Sequence, residues 1–64
     1  MKKTYTKATE FTTIINEQLS DRNFEVFTWF SDAEESFATD PKHFTNKVDA
    51  DNEVSRLLNK FANL

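Results

Sequence analysis

Apolar residues in the first third of the chain recur three or four positions apart, which is the spacing that gathers side chains on one side of an α-helix. The pattern predicts a first helix at about residues 7–19, preceded by a flexible tail of residues 1–6. The apolar positions that share this spacing are Ala8, Phe11, Ile14, Ile15 and Leu19.

The middle of the chain supports two interpretations. Apolar positions with helical spacing predict a second helix at residues 21–38, with Ser20 as its N-cap. Residues 24–30, however, are mainly aromatic or β-branched, which favours a strand at 23–30. Such a strand needs a partner, either from a hairpin or from a second chain in a dimer, and the absence of glycine weakens the tight hairpin. The positions of the helical stripe are Val26, Trp29, Phe30, Ala33 and Phe37.

The last third begins at Asp40-Pro41, which is typical of an N-cap followed by proline at the first helical position. It predicts a short helix at 41–48. A final helix at 51–63 is predicted from four apolar residues on one face, Val54, Leu57, Leu58 and Phe61.

Together these elements predict one small all-α domain over residues 1–64, a bundle of three longer helices and one short helix. The alternative is an α+β arrangement of helix, strand and helix, with the strand at 23–30 paired across a dimer. A chain of 64 residues buries only about 60% of its unfolded surface, so a second copy would add stability.

Composition narrows the function classes. The chain has no cysteine and one histidine, so we expect no disulfide, no zinc site and no cofactor. Its net charge of −3 disfavours nucleic acid as a partner. The sequence contains no apolar stretch near 18 residues and no signal-peptide pattern, so we expect a cytoplasmic protein without a membrane segment.

The usual catalytic patterns are incomplete. The sequence lacks a glycine-rich phosphate loop, a cysteine nucleophile and a zinc-protease motif. His43 follows Asp40 by three residues, but this spacing is common wherever an acidic N-cap precedes a histidine. We therefore expect a protein that is not an enzyme.

Aromatic and acidic residues cluster in the middle of the chain. Phe24 and Phe27 lie outside the helical stripe, and together with Trp29 and the carboxylates that flank them they predict a surface that binds and occludes another protein, with homodimerisation also compatible. A composition rich in Lys, Asn, Thr, Phe and Ile is typical of AT-rich coding DNA and suggests an inhibitor encoded by a phage or mobile element. The predicted partner-binding residues are Phe24, Phe27, Trp29, Asp32, Glu34 and Glu35.

A DNA-binding regulator is the alternative function. In it, the helices at 21–38 and 41–48 would form a helix-turn-helix across the turn at Pro41. The short helix would present its basic and amide side chains to DNA, although acidic residues lie on both sides of it. The residues predicted to contact nucleic acid are Lys42, His43, Asn46 and Lys47.

Overall fold

The structure, a computed structural model, describes residues 2–32 and 34–63. These residues form an antiparallel sheet of five strands followed by one helix. In chain order the elements are β1 (Lys2–Thr9), β2 (Thr12–Ser20), β3 (Asn23–Ser31), β4 (Ser36–Ala38), β5 (Lys42–Phe44) and α1 (Lys47–Ala62).

The first three strands form a meander in which β2 lies between β1 and β3. The two short strands share the other side of β3, where β4 pairs with its C-terminal part and β5 with its N-terminal part. Thr39 lies between these strands and continues the pairing. Its amide donates to the Thr28 carbonyl at 2.9 Å, and its hydroxyl accepts from the Thr28 amide at 3.0 Å.

Alternation of side chains along the strands gives the sheet an inner face, which α1 covers, and an outer face. The even-numbered residues from Thr12 to Gln18 in β2 and from Phe24 to Phe30 in β3 lie on the inner face. The buried apolar core consists of Ile14, Phe24, Val26 and Ala50. Around it pack the partly buried residues Ala8, Phe44, Val54, Leu57, Leu58 and Phe61.

The helix begins where a side chain satisfies its first free amides. Asn46 is the N-cap, and its side-chain oxygen accepts from the Asp49 amide at 2.8 Å. In return the Asn46 side-chain amide donates to the Asp49 carboxylate at 2.8 Å. Because this reciprocal pair fixes the first turn, α1 starts at Lys47.

The turns between β1, β2 and β3 form without glycine. A register irregularity precedes each turn, between Lys7 and Thr9 in the first hairpin and between Gln18 and Ser20 in the second. None of the described residues has a positive φ. A bulge bends a strand and increases its twist, so the chain reverses here without the glycine that the commonest two-residue turns require.

The all-α prediction is wrong, and so is the helix–strand–helix alternative. Residues predicted as the first helix at 7–19 lie mainly in β1 and β2, and residues 2–6, predicted as a tail, lie in β1. The predicted second helix at 21–38 is replaced by β3 and β4. A strand does occupy Asn23–Ser31, but its partners β2, β4 and β5 belong to the same chain and not to a dimer.

The predicted short helix at 41–48 is also wrong, because Lys42–Phe44 form β5 and the Asn46 cap starts α1 only afterwards. The final helix exists, but it begins before the predicted range of 51–63. In the predicted stripe of the second helix, Val26 lies on the inner face and Trp29 on the outer face, and Ala33 lies outside the described residues.

One ion pair lies at the margin of the core. Arg56 donates from Nε to Oε1 of Glu53 at 2.8 Å and from a terminal nitrogen to Oε2 at 2.7 Å. Glu53 is only 8% exposed. These hydrogen bonds from Arg56 hold the pKa of Glu53 below its ordinary value of 4.5.

We therefore expect stability to fall in acid partly through Glu53. A lowered folded-state pKa contributes stability that is present above pH 4.5 and lost as the pH falls through the folded value. The contribution is at most about 1 kcal/mol, because Arg56 is exposed and solvent screens the pair. In urea unfolding at a series of pH values, the difference between wild type and Glu53→Gln should shrink below pH 4.5. A difference that does not change with pH would contradict this.

Candidate functional site

The outer face of the sheet, which we call the open face, carries a row of apolar side chains across three strands. Tyr5 in β1 pairs with Ile15 in β2, which pairs with Phe27 in β3. Trp29 follows Phe27 on the same side of β3 and lies opposite Thr13. Tyr5 is 63% exposed and Trp29 is 40% exposed. Four apolar side chains therefore form one continuous surface on the side of the sheet away from α1.

Strand pairing explains why these side chains meet. Residues directly opposite each other in antiparallel strands bring their Cβ atoms within about 5.5 Å, and aromatic and β-branched pairs stabilise the sheet by roughly 0.2–1 kcal/mol each. Tyr5, Ile15 and Phe27 form such pairs in succession. Tyr5 remains mostly exposed, and Ile15 and Phe27 are partly buried.

A row of ionisable side chains borders the apolar row on the open face. Lys3, Glu17, Glu25 and His43 lie opposite one another on β1, β2, β3 and β5. The Lys3 ammonium lies 3.6 Å from the Glu17 carboxylate. Nε2 of His43 lies 3.1 Å from the side-chain oxygen of Asn23. Two carboxylates, those of Glu17 and Glu25, thus lie side by side in the middle of this border, between Lys3 and His43.

The hairpin between β3 and β4 forms the acidic end of the sheet. One carboxylate oxygen of Asp32 accepts from the backbone amides of Glu34 and Glu35, both at 2.8 Å. These two bonds hold the pKa of Asp32 below its ordinary range, since they favour the ionised carboxylate. The Asp32 amide donates to the Glu35 carbonyl at 2.9 Å, which closes the turn.

The structure separates the predicted partner-binding residues into three groups. Phe27 and Trp29 lie together on the open face. Asp32, Glu34 and Glu35 lie in the acidic hairpin at the end of β3. Phe24 does not belong to this surface, because it lies on the inner face and is 5% exposed.

The residues predicted to contact nucleic acid do not share a helix. Lys42 and His43 lie in β5 on opposite faces of the sheet, and the Lys42 ammonium lies 5.9 Å from the centre of the Phe44 ring. Asn46 caps α1. Lys47 forms an ion pair with Asp51 at 2.6 Å. These positions provide no recognition helix for the helix-turn-helix alternative.

Sequence reasoning missed Tyr5 and Ile15, because it assigned the first to a tail and the second to the buried side of a helix. A signal for Tyr5 was present in the alternation of Lys3, Tyr5 and Lys7 with threonine and alanine. Ile15 had no such signal, because Ile14 beside it is equally apolar.

In residues 2–32 and 34–63, no group of three or more His, Asp or Glu side chains is placed to hold a metal ion. Over the same residues, the structure contains no helix with the length and apolar character needed to span a membrane. Compared with known proteins, the chain matches no family model, no curated protein and no solved structure.

Proposed function

We propose that this protein binds another protein through the open face of its sheet and thereby blocks a surface of that partner. The observation that carries the proposal is the apolar row of Tyr5, Ile15 and Phe27, extended by Trp29 on the face away from α1. Contiguous apolar surface of this kind, bordered by polar groups, is typical of protein interaction sites. Tyrosine and tryptophan are also the side chains that most often dominate binding energy.

The charged groups have a different role in the proposal. Asp32, Glu34 and Glu35 at the end of the sheet attract a basic partner and orient it, since charges at the border of an interface act mainly on association rate and partner choice. The row of ionisable side chains that contains Lys3, Glu17 and Glu25 sets the position of the partner along the strands. Neither group needs to be buried for this purpose.

Two further parts of the proposal depend on composition. A chain without cysteine folds in the reducing cytoplasm without loss of stabilising bonds, so we place the interaction there. A composition typical of AT-rich genes supports a phage or mobile element as the source, with a host protein as the target. The protein would then act as an inhibitor by occlusion, without catalysis.

Single-stranded nucleic acid is a weaker occupant of the open face. Lys3 and Lys7 flank Tyr5 there, and aromatic rings on a sheet are a known platform for base stacking. However, Glu17 and Glu25 lie on the same face, one beside Ile15 and the other beside Phe27, and would repel phosphates. We expect no change in Trp29 fluorescence when a single-stranded oligonucleotide is added at low salt, and a change would favour this second function.

The proposal is tested with variants of the open face. Wild type, Phe27→Ala, Trp29→Ala and the control Val48→Ala are immobilised and exposed to bacterial lysate. The control removes a side chain that is 67% exposed but lies on α1. The protein that wild type retains is then purified and titrated against each variant.

We expect each open-face variant to bind at least about 30-fold more weakly, as a loss of about 2 kcal/mol at a dominant aromatic residue implies. Val48→Ala should bind as wild type does. Circular dichroism should show folded protein in every case, because the substituted side chains are not part of the core. Equal binding by all four proteins, or unfolding of the Phe27 and Trp29 variants, would contradict the proposal.

A further inference from the structure

An apolar depression lies at the end of the sheet, on the inner face to which Phe30 and Phe37 belong. We call it the tip groove, and its volume is about 320 Å³. The Ser31 amide donates to the Phe11 carbonyl at 2.9 Å and joins the β1–β2 turn to the end of β3. The groove is lined by Phe11, Phe30, Ser31, Asp32, Glu35 and Phe37.

Aromatic rings form the walls and floor of the tip groove. Phe37 stacks on Phe30, with ring centres 5.1 Å apart and an angle of 28° between the planes. Phe61 of α1 packs against Phe30, with ring centres 5.8 Å apart and an angle of 76° between the planes. Phe11 and Phe37 are 53% and 57% exposed, so both rings present free surface to a ligand. Phe30 is therefore held in place by packing against other rings, whereas Phe11 and Phe37 remain accessible.

Two carboxylates lie at the border of this apolar groove, and its lining includes no basic side chain. Asp32 uses one oxygen to hold the hairpin through the Glu34 and Glu35 amides, and Glu35 follows in the same turn. The sequence has no lysine or arginine from residue 23 to residue 41. The groove therefore combines a negative border with aromatic surface, and the complementary ligand is cationic and flat.

We propose that the tip groove receives an arginine side chain of the partner protein. A planar guanidinium stacks on a phenylalanine ring and donates parallel hydrogen bonds to a carboxylate, which the compact lysine ammonium does not reproduce. The methylene groups of arginine cover apolar surface along the walls. This inference rests on the proposed function, since it specifies the chemistry of that partner. It adds a contact on the face opposite the apolar row.

A second copy of this chain is a poor source of the arginine. Arg56 is already held by Glu53 through two hydrogen bonds. Arg22 lies in the β2–β3 turn, at the end of the sheet opposite the tip groove. Insertion of Arg22 into the groove of another copy would be a head-to-tail contact, which builds open chains of molecules instead of closed dimers.

The test uses a probe that does not depend on finding the partner. A capped Gly-Arg-Gly peptide is titrated into isotope-labelled full-length protein and followed by NMR, with a capped Gly-citrulline-Gly peptide of the same shape and no charge as control. We expect the arginine peptide to shift the resonances of Phe11, Ser31, Glu35 and Phe37. Citrulline should bind about tenfold more weakly, because hydrogen bonds between charged groups are roughly twice as strong as neutral ones.

A matched pair of variants distinguishes binding in the groove from a general effect of negative charge on the hairpin. Glu35→Gln removes a carboxylate from the groove lining, whereas Glu34→Gln removes the same charge from the adjacent position outside it. We expect about tenfold weaker arginine binding in the first and less than about twofold in the second. Asp32 is left intact because it holds the turn. Trp29→Ala should bind the peptide as wild type does, because Trp29 lies on the opposite face of the sheet. If the open face proved not to bind a partner, the result expected for the groove would therefore stay the same.

Three results would overturn the proposal. The first is equal binding of the arginine and citrulline peptides, or shifts confined to another part of the molecule. The second is equal weakening by Glu34→Gln and Glu35→Gln. The third is a molecular mass in solution above that of one chain that falls to one chain in Arg22→Gln, because a second copy would then fill the groove.

Discussion

Phe24→Ala is expected to leave the protein largely unfolded at 25 °C. Phe24 is 5% exposed and belongs to the small core with Ile14, Val26 and Ala50. Truncation of a buried phenylalanine to alanine costs about 3–5 kcal/mol, through lost burial and the cavity that remains. A domain of this size has a total stability of only about 3–5 kcal/mol, so the loss removes most or all of it. Circular dichroism and urea unfolding would measure the effect.

The control for Phe24→Ala is the same substitution at Phe11, which is 53% exposed. We expect Phe11→Ala to lower the free energy of unfolding by less than about 1 kcal/mol, because the ring is already largely in water. If the two variants were equally stable, Phe24 would not lie in the core, and its exclusion from the partner-binding surface would be wrong.

Ala50→Leu is expected to have the second-largest effect on stability. Ala50 is fully buried in the first turns of α1, where the helix packs against the core residues of β2 and β3. A leucine there adds three carbon atoms to a close contact and forces α1 away from the sheet. Overpacking of this kind costs roughly 1–3 kcal/mol, which is a large part of the stability of a small domain.

The matched control for Ala50→Leu is Ala62→Leu in the last turn of the same helix, where the alanine is exposed. The two substitutions change helix propensity equally, so their difference isolates the contact with the sheet. We expect Ala62→Leu to change the free energy of unfolding by less than about 0.5 kcal/mol. Thermal unfolding followed by circular dichroism compares them, and equal midpoints would mean that α1 does not pack through Ala50.

The first hairpin could not be predicted from the sequence, because polar residues occupy inner-face positions of β2. Thr12, Asn16 and Gln18 share the inner face of β2 with Ile14, so this strand shows no apolar alternation. The helix covers this face only partly. It leaves an open cleft of about 400 Å³ beside β1 and β2, where polar side chains are tolerated. With Ile15 on the open face, the apolar residues that remain happen to match helical spacing.

The strand β3 was ambiguous because it has apolar residues on both faces. Phe24, Val26 and Phe30 face the helix, whereas Phe27 and Trp29 form part of the open face. A strand of this kind has no period of two, and the absence of glycine counted against the hairpins that pair it. In those hairpins the chain reverses with the help of register irregularities and without glycine, and such irregularities could not be predicted from the sequence.

The final helix could be predicted because the spacing of its core-facing residues fits an α-helix and does not fit the two-residue repeat of a strand. Val54, Leu57, Leu58 and Phe61 fit helical spacing, and polar residues occupy the positions between them. Of the proposed open face, Phe27 and Trp29 were predicted from their aromatic side chains and the carboxylates that follow them in the sequence. Tyr5 and Ile15 required the register of β1 and β2, which depends on contacts between distant parts of the chain.

One face of the sheet is covered by α1 and the other is open. Fluorescence quenching of the single tryptophan tests this arrangement directly. Acrylamide quenching of Trp29 fluorescence should be efficient in the folded protein, approaching that of the unfolded chain in urea, because the indole is 40% exposed on the open face. The result should not change with protein concentration. Strong protection of Trp29 in the folded single chain would show that this face is covered, and would contradict the account.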